Sequence, residues 1–222
     1  MPAGDGETVV LAGHTSEGLL VLADGRKVRL SGLDATSLRI PEGLDDTEAT
    51  LVSPGSPDRH GAVRSDIVVD AVSLSQRLLA EGRARVRPAP GEPACYSRLY
   101  DAEAGAVRLG LGLWGEPGYS VGDAADPEAV SRYRDRFAVV TGRVRHVGVA
   151  GQSIFVDFGG DWKTDVTLTI RVKDRSRFAQ AGLLPESLKG QVIRARGVVT
   201  MRGGPTIEIR EPAAIQRIAR DE

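Results

Sequence analysis

Cysteine and histidine are scarce in this chain of 222 residues. The single cysteine, Cys95, has no partner for an internal disulfide, and one thiol with three histidines does not favour a closed zinc site. We expect Cys95 to be a buried spacer rather than a nucleophile.

Long apolar runs are also missing. No run approaches the ~20 residues that cross a bilayer, so no membrane span is expected. Residues 1–7 lack the basic segment of a signal peptide, and the apolar stretch 9–12 is too short to complete one. We therefore expect a cytoplasmic protein if this sequence is the full product, and an exported one if a signal peptide was trimmed.

The net charge is only −1, but it is unevenly distributed. Residues 1–132 carry 13 Lys and Arg against 20 Asp and Glu, a net −7, whereas residues 133–222 carry 16 against 10, a net +6. Because Lys and Arg neutralise phosphate backbones, a nucleic-acid ligand would favour the second part. The alternative is that the opposite charges only dock the two parts together.

A β-hairpin is the clearest local pattern. Strand-like segments flank Asp24-Gly25, a strong turn signal. Alternation places Arg29 on the polar face of the return strand, and Asp34 follows where that strand ends. The pattern predicts that a cation and a carboxylate converge at this end of the hairpin.

This hairpin and the segments after it resemble the staphylococcal-nuclease (thermonuclease) family. The string from Asp24 to Ala35 is similar to the family's "DG...RL.G.DAPE" segment, and further similarity lies at residues 58–61 (DRHG), 74–86 (LSQRLLAEGRARV) and 110–115 (GLGLWG). The resemblance spans roughly residues 8–115 and implies a small OB-type barrel with packed helices. It also implies that Arg29 and Asp34 stand where the family has a catalytic arginine and a calcium-binding aspartate.

The chain departs from that family at three positions that matter for phosphodiester hydrolysis. Gly18 replaces a calcium-binding aspartate, Ser37 the catalytic glutamate and Ala62 a second catalytic arginine. Losing one transition-state donor typically costs a rate factor of ~10²–10³. We therefore predict a degenerate site that neither cleaves nucleic acid with calcium nor is stabilised by calcium, and in which Arg29 and Asp34 form a structural ion pair.

A rebuilt calcium site is the alternative. The loop 42–48 contains Glu42, Asp45 and Asp46, whose carboxylates could replace the missing ligands, because calcium needs several oxygen ligands. The protein would then be a calcium-dependent phosphodiesterase of the thermonuclease type. Otherwise no cofactor is expected, since acidic loop residues usually form a solvated surface.

Composition marks a boundary between two domains. The resemblance covers a first domain, residues 1–115, and residues 116–132 have the Pro, Gly and Asp content of a linker. Residues 133–222 then form a second domain.

Helical spacing predicts two helices in the first domain, over 70–86 and 96–113. Trp114 follows the second helix and is expected to lie in the core. Three prolines in residues 38–57 indicate that a helix of the resembled family is absent there.

Alternation of apolar and polar residues dominates the second domain. It predicts strands over 140–146, 154–158 and 166–172, a helix over 174–184, and strands over 191–200 and 206–210. Three strands, a helix and two strands is the order of the OB fold. The predicted fold class is therefore mainly β with some α, as two small barrels.

The second barrel offers a candidate face for nucleic acid. The apolar set Ile154, Val156, Phe158, Val166, Leu168, Ile170 and Val172 is predicted to lie inside. The residues predicted to bind single-stranded nucleic acid from outside are Phe155, Arg171, Lys173, Arg143, Arg145 and Arg202. Phe155 would stack on a base and the cations would contact phosphates, with little sequence preference. The alternative is that Phe155 is packed against other parts of the chain and the face is structural.

Three functions stay open on the sequence alone. One is a catalytically degenerate nuclease-like protein that binds single-stranded DNA or RNA through its basic second domain. Another is a calcium-dependent nuclease, and the third is a protein-interaction scaffold.

Overall fold

The computed structural model describes residues 6–52, 54–91, 94–161 and 163–218. The chain divides into two units, residues 1–115 and 116–222. Strands dominate both units, so the predicted fold class, mainly β with some α, is confirmed. Within those described ranges, no helix is long and apolar enough to cross a membrane.

The first unit is a small barrel followed by helices. Its elements are β1 (Gly6–His14), β2 (Leu20–Leu22), β3 (Lys27–Leu30), β4 (Thr47–Val52), β5 (Ala62–Val69), β6 (Val72–Ser73), α1 (Leu74–Ala80), α2 (Tyr96–Leu109) and a 3₁₀ turn at Gly112–Gly115. The strands follow the order β3-β2-β1-β4-β5, and β3 pairs in parallel with β5. This last pairing closes a five-stranded barrel.

The turn at Asp24-Gly25 joins β2 to β3 as predicted. Gly25 has φ +87°, a backbone conformation that glycine adopts without steric cost. On β3, Val28 and Leu30 are buried and Arg29 is half-buried on the opposite face. The alternation read from the sequence therefore holds through this strand.

Helix α1 is shorter than the sequence predicts. It begins only at Leu74 because Asp70 and Ala71 adopt left-handed backbone conformations, with φ +51° and +61°, in the turn between β5 and β6. The hydroxyl of Ser73 then accepts a hydrogen bond from the backbone N–H of Gln76 at 3.1 Å and caps the helix.

Two predictions concern residues next to α2, Trp114 and Cys95, and one of them is confirmed. Trp114 is 5% exposed, which confirms it as a core residue. Cys95 is exposed, so its prediction as a buried spacer is wrong. The reason is its position at the N-cap of α2, which precedes the packed turns of the helix.

No helix occurs in residues 31–46, which connect β3 to β4 and are described throughout. The chain there runs as turns and extended segments. The short connection places Asp34 directly after β3.

The second unit begins earlier than predicted. Its elements are β7 (Gly122–Asp123), α3 (Pro127–Ser131), β8 (Phe137–Arg143), β9 (His146–Ala150), β10 (Ser153–Asp157), β11 (Thr167–Arg171), α4 (Arg175–Gln180), β12 (Val192–Arg202), β13 (Gly204–Glu208) and β14 (Ile215–Arg217). Residues 116–132, predicted to be a linker, thus contribute a strand and a helix to this unit. Asp126 caps α3, Pro127 occupies its first position and Val130 is fully buried.

This boundary reduces the charge contrast between the two parts. Residues 1–115 carry 12 Lys and Arg against 16 Asp and Glu, a net −4, and residues 116–222 carry 17 against 14, a net +3. The second unit is basic, but only mildly.

The sheet of the second unit follows a related strand path. β8 pairs with β12, β12 with β13, and β13 runs parallel to β11, which continues through β10 to β9. The residues of the predicted inner set that are buried are Ile154, Val156, Phe158, Val166, Leu168 and Ile170. Val172, predicted to lie inside, is 38% exposed because β11 ends at Arg171 and a 3₁₀ turn begins.

Candidate functional site

Asp34 lies in a buried cluster rather than in an open cleft. Its side chain is 0% exposed, with Nη2 of Arg85 3.0 Å from Oδ2 and Nη1 of Arg87 3.2 Å from Oδ1. The hydroxyls of Thr36 and Ser37 donate to the carboxylate at 2.9 and 2.7 Å. Both oxygens are thus occupied by donors from the chain itself, which leaves a poor ligand for a metal ion.

Strand-like pairing brings this cluster together. Leu33 forms an isolated antiparallel bridge with Val86, and the backbone N–H of Asp34 donates to the carbonyl of Arg85 at 2.9 Å. The Arg85 side chain is 3% exposed, and its Nε also donates to the Ser37 hydroxyl at 3.2 Å. Ser37 therefore helps to hold Asp34.

The surroundings of Asp34 favour its ionised form. Burial alone would raise the pKa of the carboxyl, but the hydrogen bond from Ser37, the positive charge of Arg85 and the hydrogen bond from Thr36 together outweigh it. The pKa of Asp34 consequently lies below its usual value of 3.8. Asp34 is a charged structural group at neutral pH.

The predicted ion pair between Arg29 and Asp34 is wrong. In the described contacts Asp34 pairs with Arg85 and Arg87, because Arg29 lies on the outer face of β3 while Asp34 turns inward after it. The pKa of Asp58 is lowered mainly by the hydrogen bond that the backbone N–H of His60 donates to it. The positive charge of Arg29 makes a small further contribution in the same direction. Arg29 and Asp34 therefore face different surroundings.

The acidic side chains Glu42 and Asp45 are not among the described partners of Asp34. Glu42 and Asp45 line a separate hollow of about 550 Å³ together with His14. In the part of the chain that the structure describes, no group of three or more His, Cys, Asp or Glu is arranged to hold a metal ion. The geometry gives no support to the calcium alternative.

The second unit has a cleft of about 610 Å³ on the outer face of its sheet. Strands β9, β10, β11 and β13 form its floor. Residues that line it include His146, Phe155, Asp157, Thr167, Thr206 and Arg202. Phe155 and Arg202 are the two predicted site residues that this cleft brings together.

Strand register arranges the lining side chains in rows. One row across the sheet is His146, Asp157, Thr167 and Thr206, and the next is Gly148, Phe155, Thr169 and Glu208. Neighbouring strands lie about 4.8 Å apart, and successive rows on one face lie about 7 Å apart. The polar row therefore runs directly beside the row that contains Phe155.

Hydrogen bonds fix the carboxylate at the centre of the polar row. The Thr167 hydroxyl donates to Oδ1 of Asp157 at 2.8 Å, and Nδ1 of His146 lies 3.4 Å from Oδ2. Asp157 is 9% exposed and borders the cleft. Its position is thus defined from both flanking strands.

A second ring lies close to Phe155. A Cβ placed on Gly148 would lie 2.8 Å from Cε1 of His146, so the imidazole covers the backbone of Gly148. Gly148 is the strand partner of Phe155. Two rings, Phe155 and His146, thus border the same part of the cleft.

The predicted cations are more dispersed than expected. Nε of Arg171 is paired with Asp174 at 2.9 Å, and Lys173 is exposed in the 3₁₀ turn after β11. Arg143 donates from Nη1 to the carbonyl of Gly190 at 2.8 Å. This hydrogen bond directs the Arg143 side chain towards Gly190, and Arg143 is not among the residues that line the cleft.

Arg145 belongs to another hollow, lined also by Phe158 and Asp165. It follows the end of β8 at Arg143, where the strand is interrupted before β9. The predicted track of cations along the first strand is therefore not continuous with the cleft.

Acidic groups lie among the remaining cations near the cleft. The hydrogen bond from Arg210 chiefly lowers the pKa of Glu208, and the positive charges of Arg171 and Arg202 lower it further. Arg171 and Arg202 therefore both act on β13, where Glu208 partly offsets their charge. The rim of the cleft is only weakly basic.

Sequence reasoning missed His146 and Asp157 as site residues. The strand predicted over 140–146 put His146 on the same face as Val140 and Val144, yet its side chain is 62% exposed. The break between Arg143 and His146 resets the alternation. Asp157 carried the available signal, because it shares a strand and a face with Phe155.

Comparisons with known proteins do not assign a family. No family model matches the chain. The chain is similar to Tricorn protease homolog 1 of Streptomyces coelicolor, with 33% identity over 138 residues. That match covers 57% of this chain but only 13% of the relative, so the chain spans a small part of that protein.

Proposed function

We propose that the second unit binds single-stranded nucleic acid in the cleft, and that the first unit is a catalytically degenerate nuclease-like domain. The observation that carries the binding proposal is the position of Phe155, half-buried in the floor of the cleft and flanked by Arg202 and the ring of His146.

The rings support a contact with unpaired bases. A base offers a planar face whatever its sequence, and stacking on an aromatic side chain contributes about 1–3 kcal/mol per base. Phe155 lies on the outer face of β10 between Gly148 and Thr169, which are smaller. A planar ligand would approach the ring from the solvent side, next to the imidazole that covers Gly148.

The cations support a weak interaction. Among the described residues, Arg202 lines this cleft and Arg171 lies near Glu208 beside it, where Arg171 is shared with Asp174. Two phosphate contacts on a single strand correspond to a salt slope of about −1.4 in log K against log salt. We therefore expect weak binding whose affinity falls about fivefold between 50 and 150 mM salt.

The Asp34 cluster supports the proposal that the first unit has no hydrolytic role. Its carboxylate oxygens are saturated by Thr36, Ser37, Arg85 and Arg87. Calcium would have to displace the buried guanidinium group of Arg85 and the partly exposed one of Arg87 to reach them. Calcium-dependent cleavage of DNA or RNA that disappears in Asp34→Ala would contradict this part of the proposal.

Fluorescence anisotropy of labelled oligonucleotides tests the binding proposal. Phe155→Ala in the full chain is expected to weaken binding by about 1–3 kcal/mol, or roughly 5- to 150-fold, because one stacked base is lost. Tyr119→Ala is the matched control, since Tyr119 lies in the same unit, contacts Arg136 and is not among the residues that line the cleft.

A wild-type chain that binds neither DNA nor RNA at low salt would overturn the proposal and favour the protein-interaction scaffold. If Phe155→Ala and Tyr119→Ala lose the same amount of oligonucleotide affinity, the cleft is not the binding surface. A thermal melt of each variant separates loss of binding from loss of folding.

A further inference from the structure

We infer that Asp157 recognises the exocyclic amino group of a base, so that the cleft prefers cytosine, and other bases with an amino group, over thymine or uracil. This inference rests on the proposed function, because it names the bases that the same cleft would accept.

Register places the carboxylate where the edge of a stacked base would lie. Asp157 and Phe155 are two residues apart on β10 and point to the same face, so their Cα atoms are about 7 Å apart. A base on the Phe155 ring therefore reaches the polar row. Asp157 is the only acidic side chain in the described lining of the cleft.

The carboxylate retains acceptor capacity towards the cleft. Two carboxylate oxygens offer about four acceptor positions. Thr167 uses one position on Oδ1, and His146, if Nδ1 carries its proton, uses one on Oδ2. In the hydrogen bonds of the described residues, one position on each oxygen is not used by another side chain.

Donor and acceptor chemistry then separates the bases. Cytosine presents an amino group at position 4, and a carboxylate accepts from it. Thymine and uracil present a carbonyl oxygen at the same position, which is an acceptor and is repelled by a carboxylate. The two flanking hydrogen bonds keep Asp157 from rotating away from the unfavourable base.

Two oligonucleotides of nearly the same shape isolate this contact. Oligo(5-methylcytosine) and oligo(thymine) share the ring methyl group and differ at position 4 and in the protonation of N3. We expect the full wild-type chain to bind the methylcytosine strand about 5- to 150-fold more tightly at low salt, which corresponds to one base-edge contact.

Asp157→Asn tests the assignment to this residue. The amide keeps the shape and can still accept from Thr167, but it removes the charge and adds a donor that suits a carbonyl. We expect the preference to shrink at least tenfold or to reverse. Asp174→Asn is the control, because it removes an acid of the same unit outside the cleft lining and should change both affinities alike.

The outcomes separate this inference from the proposed function. If wild-type chain binds neither strand, the proposed function fails. If it binds both strands equally, or if Asp157→Asn keeps the wild-type ratio, only the role of Asp157 is overturned. Should Asp157→Asn fail to fold, the wild-type ratio of the two strands still decides, because equal binding of both strands would overturn the role of Asp157.

Discussion

Parallel strand pairs occur at equivalent places in the two units, between β3 and β5 in the first and between β11 and β13 in the second. The acid that follows β3, Asp34, is 0% exposed and holds four side-chain donors, whereas Asp157 on β10 borders a cleft. A similar scaffold thus surrounds one carboxylate with four donors and leaves the other, Asp157, largely buried at the border of a cleft with two partners. The two carboxylates differ in the number of side chains that donate to them. One of the donors to Asp34, Arg85, is 51 residues away in the sequence.

The largest effect that tests this comparison is expected from Arg85→Ala. The substitution leaves Asp34 charged and buried with one of its two arginine partners removed. We therefore expect the first unit to lose about 3–5 kcal/mol of stability. Urea unfolding followed by the fluorescence of Trp114, in a Trp162→Phe background, reports on this unit.

Arg83→Ala is the matched control for Arg85→Ala. Arg83 precedes it by two residues and pairs with Glu81 at 3.0 Å, but both side chains are about half exposed. An exposed pair contributes at most about 1 kcal/mol. Equal losses in the two variants would contradict a structural role for the buried cluster.

Acid should weaken the first unit through Asp34. Because the folded-state pKa of Asp34 lies below the unfolded value of 3.8, ionised Asp34 contributes stability above that value. The contribution is lost as the pH falls below 3.8 through the folded-state pKa. Urea midpoints measured from about pH 5 down to pH 3 should therefore fall less steeply in Asp34→Asn than in wild type. Parallel slopes would show that Asp34 has no shifted pKa.

Local patterns predicted the elements better than the contacts between them. The turn at Asp24-Gly25 and the inner set of β10 and β11 depend on neighbouring residues, and both follow from alternation and turn chemistry. The partners of Asp34 depend on the bridge between Leu33 and Val86, which no local pattern specifies. The sequence did carry one sign that Arg85 is buried, which is its position between two apolar residues, Ala84 and Val86.

Composition was a poor guide to the boundary between the units. Asp126 and Pro127 have the residue types of a linker, but together they start a helix whose Val130 is fully buried. Capping residues and linker residues share the same chemistry, so only the buried apolar residue distinguishes them. The candidate cleft was predicted in part for a related reason: Phe155 belongs to a regular strand, while His146 follows a strand break.

Arg202→Ala should affect binding but not folding, in contrast to Arg85→Ala. Arg202 is exposed at the end of β12 and lines the cleft, so we expect a stability change within about 0.5 kcal/mol. The salt slope of oligonucleotide binding should fall by about 0.7, the share of one phosphate contact on a single strand. An unchanged slope would remove Arg202 from the proposed interface.

The smallest expected effect concerns Asp174, which restrains a cation next to the cleft. Its side chain is 16% exposed, and its carboxylate lies 2.9 Å from Nε of Arg171 and 3.7 Å from Nη2 of Arg177. Asp174→Asn keeps the shape but releases positive charge, so we expect oligonucleotide affinity to rise about two- to fivefold at low salt. The gain should vanish as salt screens charges over about 10 Å at 0.1 M.

Glu186→Gln is the control, because Glu186 pairs with Arg175 at 2.9 Å outside the cleft lining and should leave affinity unchanged. An affinity that does not rise in Asp174→Asn would mean that Arg171 makes no phosphate contact, and the binding surface would then be confined to the cleft itself.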